Sequence, residues 1–98
     1  LINRFAGWDP ADEAGFLDAF KAAAEVIPKQ PGFISMQLHR AIGDSPTYLN
    51  YVVWESTEAV RAAFTDPEFL AKLPAYPSSV VASPHLFQKV AVPGFCTA

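Results

Sequence analysis

Thr47-Tyr48-Leu49-Asn50-Tyr51-Val52-Val53-Trp54-Glu55 is the stretch whose reading decides the fold. Aromatic and β-branched residues dominate it, which is the composition of a strand. Side chains alternate across a sheet, so Tyr48, Asn50, Val52 and Trp54 project to one face while Leu49, Tyr51 and Val53 project to the other. Both sides are largely apolar. An antiparallel sheet with one wet face would carry polar residues there, so each face needs its own cover.

Immediately upstream, Gly43-Asp44-Ser45-Pro46 has the composition of a tight connection, and Phe33 to Ile42 is a second extended run. The two runs read as an antiparallel hairpin. Leu1 to Ala6, ending at Gly7, reads as a short first strand, and Asp9-Pro10 starts a helix whose first turn carries Asp12 and Glu13. Phe16, Phe20, Ala23, Ala24 and Ile27 recur at helical spacing, and Pro28 with Pro31-Gly32 closes the element. Downstream, Ser56 caps a second helix carrying Val60, Ala63 and Phe64. Asp66-Pro67-Glu68 restarts helix with Phe69, Leu70 and Leu73 facing inward, and Pro74 and Pro77 end it. The stretch from Pro77 to Pro84 reads as connection, and His85 to Val92 alternates as a fourth strand.

The order βαββαβ predicts an α+β, ferredoxin-like domain over residues 1–98, with a four-stranded antiparallel sheet and helices on one face. A second copy of the chain, packed about a two-fold axis, is the simplest cover for the other face, so a homodimer is expected. The formal charge of −3, with seven scattered Lys and Arg, gives no footprint for nucleic acid or an anionic membrane surface. No apolar run approaches the ~20 residues needed to span a bilayer, and a cytoplasmic location is the expectation. Cys96 is the lone cysteine and reads as an incidental thiol, and no Cys/His cluster has metal-site spacing, so no metal is expected.

Asn50 and Trp54 share one face of one strand, about 13 Å apart at ~3.3 Å per residue. They are spaced to contact two parts of one polycyclic ligand. Asn50 brings an amide that donates and accepts, and Trp54 an indole N–H beside a flat apolar surface. Asn3 is a further polar group on a buried strand. Tyr48, Phe16, Phe20, Phe64 and Phe69 are expected to build the core and the wall of a substrate pocket. His39 and His85 alone ionise near neutrality when unperturbed, so either is a candidate proton acceptor. Trp8 either caps the pocket or staples the entry to the first helix.

Asn50-Tyr51-Val52-Val53-Trp54-Glu55-Ser56, followed by a helix and Asp66-Pro67, resembles the antibiotic biosynthesis monooxygenase family of dimeric α+β barrels. Asn3-Arg4-Phe5, Pro31-Gly32-Phe33 and Pro84-His85 are similar to it as well, so the resemblance spans nearly the whole chain. It implies a homodimer that oxygenates phenols or anthrones with molecular oxygen and without flavin, haem or metal. It also implies that Asn50 and Trp54 line the pocket and bind the substrate. Dioxygen in its triplet state reacts slowly with closed-shell molecules but accepts one electron from an electron-rich phenolate. Hydrogen-bond donors that stabilise the anion in a dry cavity are therefore the useful chemistry, each contributing roughly 3 kcal/mol.

Two departures from the resemblance stand out. Val60 and Leu73 occupy positions where the aromatic-polyketide enzymes carry a tyrosine and an arginine. The haem-degrading branch needs a late-helix histidine that this chain lacks around Leu73, so haem is not expected. The leading expectation is a cofactor-independent monooxygenase of a phenolic, quinol or anthrone-type aromatic, with O2 as co-substrate. A non-catalytic small-molecule-binding or protective dimer is the alternative, and haem degradation a distant third.

Overall fold

Antiparallel pairing of four strands in the order β2-β3-β1-β4 organises the computed structural model, which describes residues 1–6 and 10–96. The strands are β1 (Ile2–Ala6), β2 (Phe33–Arg40), β3 (Thr47–Trp54) and β4 (Val81–His85). The helices are α1 (Glu13–Ala24), α2 (Thr57–Phe64) and α3 (Pro67–Leu70). The α+β, ferredoxin-like reading therefore holds. Gly7, Trp8 and Asp9 lie outside the described residues, and with them the expected Asp9 cap and the Trp8 alternatives.

Local chemistry explains the helix starts. The Ser56 hydroxyl accepts the Ala59 N–H at 3.1 Å, and an Asp66 carboxylate oxygen accepts the Phe69 N–H at 3.1 Å, with Pro67 just inside the α3 start. Each side chain satisfies one of the orphaned donors of a first turn, typically stabilising a helix by about 1 kcal/mol. α1 follows a 3₁₀ turn at Pro10–Asp12; Asp12 makes no side-chain cap but accepts the Ser79 hydroxyl at 2.8 Å, tying the helix entry to the segment before β4.

Gly32 joins the turn after α1 to β2 with φ +86°, a conformation that favours glycine. A Cβ there would stand 2.5 Å from that of Ala59, so α2 can approach only because the side chain is missing. The Gly32 carbonyl accepts the Glu55 N–H at 2.8 Å, locking the start of β2 to the end of β3.

Two apolar clusters fill the space between sheet and helices. Phe5, Phe16 and Tyr48 form one, and Ala23, Val26, Ile27 and Phe69 the other. Phe16 is fully buried, with ring centroids 5.0 Å from both Phe5 and Tyr48.

The register bears out the face assignment in β3: Tyr48, Asn50 and Val52 are buried beneath the helices, whereas Tyr51 on the opposite face is 42% exposed. That opposite face is more mixed than β3 alone suggests. Leu49, Tyr51 and Val53 are flanked across the ladder by His39, Gln37 and Ser35 on β2 and by Arg4 and Ile2 on β1.

Three expectations need correction. The fourth strand is Val81–His85, not His85 to Val92, because Pro84, taken as a boundary, sits within an edge strand opposite Asn3, where a missing N–H is tolerated. The alternation beyond His85 has no strand to pair with in this chain. β2 stops at Arg40, leaving Ile42 fully exposed in the turn, and Leu70 is 46% exposed rather than inward-facing. Among the described residues, no helix is long and apolar enough to cross a membrane.

Candidate functional site

A cavity of about 300 Å³ lies between the sheet and the helices, where the two core clusters meet. Asn3 comes from β1, and Asn50 and Trp54 from β3. Phe20 on α1, Phe64 on α2 and Phe69 on α3 close the helical side. Its size is at the lower end for small-molecule sites, and its wall is predominantly apolar and aromatic, as such sites are.

Polar groups in that wall are satisfied neither by backbone nor by side chain: Asn3 Oδ1, Asn50 Oδ1 and Trp54 Nε1 are buried, and none has a hydrogen-bond partner in the protein. An unsatisfied buried polar group costs about 1–3 kcal/mol. Three of them amount to several kcal/mol in a fold whose net stability is on the order of 5–15 kcal/mol. Such a burden fits groups held ready for a ligand. Asn3 and Asn50 are direct cross-strand partners, and Trp54 lies one turn of the pleat beyond Val52 on the same face. Phe33 meets the Trp54 ring edge-to-face at 5.7 Å and 87°, which fixes the plane of the indole. Either amide can turn to offer its NH2 or its oxygen, so the set accepts from a substrate hydroxyl as readily as it donates to an oxyanion.

The remaining predicted residues divide. Phe20, Phe64 and Phe69 line the cavity, with Phe64 and Phe69 edge-to-face at 5.0 Å. Phe16 and Tyr48 stand behind the wall as core. The Tyr48 hydroxyl donates to Glu13 Oε1 at 2.5 Å, and Arg40 Nη2 lies 3.3 Å from the same oxygen. Burial and then the Glu13 contact push the Tyr48 phenol up, so it is committed to this network.

His39 and His85 are not brought to the cavity. His39 pairs with Leu49, and His85 with Ile2, which places both on the opposite face of the sheet. The His85 ring stands against Phe87, with Nδ1 3.3 Å from the Ser83 carbonyl oxygen. Among the described residues, no group of three or more His, Cys, Asp or Glu is placed to hold a metal ion.

Sequence reading missed Tyr76, Val80 and Ala82, all in the cavity wall. Val80 and Ala82 fall in the stretch read as connection. Tyr76 had a weak signal, an aromatic residue between Pro74 and Pro77 at the end of the helical region.

The family model for antibiotic biosynthesis monooxygenases matches residues 1–73. Among solved structures, SnoaB from Streptomyces nogalater, described as a cofactor-independent oxygenase, is 28% identical with a TM-score of 0.80, covering 95% of this chain and 93% of that one. A protein from Shewanella loihica PV-4 is 22% identical with a TM-score of 0.75, covering 93% of this chain and 92% of that one, and shares the fold. No curated protein matches the chain. With strand order, cavity and family match in agreement, the chain belongs to the antibiotic biosynthesis monooxygenase family.

Proposed function

We propose that the protein is a cofactor-independent monooxygenase of a phenolic, quinol or anthrone-type aromatic. The observation that carries this reading is the trio of unpartnered buried polar atoms, from Asn3, Asn50 and Trp54, in an otherwise apolar cavity. A flat aromatic ring suits the Phe20, Phe64 and Phe69 wall, and its oxygen substituents suit the trio. The likeness to SnoaB supports the same reading.

The reaction balances without an external reductant. Substrate loses a proton and becomes an electron-rich anion, held by the Trp54 N–H and the Asn50 amide. The anion passes one electron to dioxygen, and the radical pair combines in a new carbon–oxygen bond. Loss of water then leaves a carbonyl: one oxygen atom stays in the product, the other departs in water, and the substrate supplies both hydrogens. No histidine or carboxylate lines the cavity among the described residues, so the proton passes to water.

That same feature favours a second reading, a dimer that binds an aromatic molecule without transforming it. Oxygen uptake by chelator-treated protein separates the two, with 1,8-dihydroxyanthrone and dihydroxynaphthalenes as substrates. Uptake above the spontaneous rate, one O2 per product, supports catalysis; binding with no added uptake across the panel overturns it.

The functional unit in this proposal is a homodimer joined through the sheet face that carries Leu49, Tyr51 and Val53. Tyr51 at 42% exposure, with Leu49 and Val53 only partly covered beside it, supports it, since exposed apolar side chains grouped on one face mark interaction surfaces.

A further inference from the structure

Tyr76 follows the 3₁₀ turn at Leu73–Ala75 and is held between both core clusters. Its ring stacks on Phe5 at 5.8 Å and 11° and tilts against Phe16 at 5.8 Å and 50°, so its position is fixed on two sides. Among the described residues it is the one titratable side chain lining the cavity, and its hydroxyl has no protein hydrogen-bond partner there. A mostly apolar cavity with a rigid tyrosine in its wall, whose hydroxyl is neither bonded to the protein nor sealed away, has a donor to offer a ligand.

We propose that Tyr76 binds the substrate directly, its hydroxyl donating a hydrogen bond to a substrate oxygen and so sharing with Trp54 the stabilisation of the substrate anion. The inference rests on the reading of the cavity as an aromatic-substrate site. Burial pushes the Tyr76 phenol up to about 12, so it stays protonated at neutral pH and acts as donor, not as base. It assigns an oxyanion donor to a segment read from sequence as the mere end of a helix.

The test uses 1,8-dihydroxyanthrone under nitrogen, whose neutral and ionised forms differ in visible absorption. In Tyr76→Phe, which keeps the ring against Phe5, the apparent pKa of the bound probe should rise by about one unit relative to the parent. In air, kcat should fall about tenfold or more while KM changes little, as for an interaction strongest in the transition state. A variant with the parent's bound-probe pKa and kcat overturns the inference. A structure of the parent with the unreactive 1,8-dihydroxyanthraquinone gives a check that needs no variant. A Tyr76 hydroxyl within about 3.2 Å of a probe oxygen supports the inference. A probe bound in the cavity without that contact overturns it alone, whereas failure of both probes to enter the cavity overturns the substrate reading and this inference with it.

Discussion

Asn3 and Asn50 face each other as direct cross-strand partners on β1 and β3, and each buries an amide oxygen with no protein partner. Opposed residues on one face lie close enough to interact, with Cβ atoms about 4.5–5.5 Å apart. Two asparagines so placed would ordinarily bond each other. Here both oxygens remain unsatisfied in the wall of a cavity, and their arrangement has consequences for stability as well as binding.

Replacing Asn50 by Leu, a similar branched shape without polar atoms, removes an uncompensated amide from a site only 9% exposed. Relief of about 1 kcal/mol would raise the melting temperature by roughly 4–8 °C for a chain this size. Turnover, in contrast, should fall by more than about tenfold. Calorimetry and oxygen uptake on the same preparation check both signs. A variant that loses stability and keeps its turnover would show the amide to be structural.

Trp54→Phe keeps an aromatic ring against Phe33 but removes the indole N–H. Loss of one preorganised donor to a developing anion should lower kcat by about 10²-fold, with a smaller change in KM. Steady-state oxygen uptake measures the split. Parent-level kcat would restrict Trp54 to packing.

Much of this was legible in one strand. The two-residue period of Tyr48 to Trp54 announced which side chains lie under the helices, and the capping chemistry of Ser56 and Asp66 announced where α2 and α3 begin. The edge strand was misplaced because proline is a boundary signal in a central strand but not at an edge, and edge position is a property of the assembled sheet. His39 and His85 were selected for their titration range, which contains no information about face; only the register puts them opposite the cavity. Tyr76 carried only a weak signal for the converse reason, since its place depends on how the chain returns from α3 to β4 across Phe5.

Gly32→Ala should be among the most damaging small substitutions. The new Cβ would meet that of Ala59 at 2.5 Å, and φ +86° is unfavourable for any L side chain. Strain and overpacking together should cost about 2–4 kcal/mol. Denaturation in urea should show a lower midpoint with an unchanged slope. An unaltered midpoint would mean that α2 is free to move away from the β2 turn.

Alkaline pH supplies a test of the Tyr76 environment independent of any substrate. Its phenol is raised from 10.0 to about 12 by burial, so the folded state holds the proton more tightly than the unfolded one. The associated stabilisation is complete below pH 10 and is lost as pH rises towards 12. Tyr48 shifts in the same direction, through burial and its bond to Glu13. Stability of the parent measured by denaturant should therefore decline steeply above pH 10, and Tyr76→Phe should flatten that decline while leaving the Tyr48 share. Equal slopes in the two proteins would place the Tyr76 hydroxyl in contact with bulk water.

The proposed dimer is testable at a single position. Tyr51 stands on the face away from the helices, between Ile2 on β1 and Gln37 on β2. About a two-fold axis the same patch meets itself, so a charge introduced there is brought towards its own copy and must also be desolvated. Tyr51→Asp should convert a dimer into a monomer at micromolar concentration. The fold should survive, because Tyr51 is 42% exposed within the single chain and outside both core clusters. Sedimentation velocity on parent and variant gives the masses, and circular dichroism checks that helix and strand content are retained. A parent that sediments as a monomer would remove the dimer from the proposal, and the apolar stripe of Leu49, Tyr51 and Val53 would need a different partner.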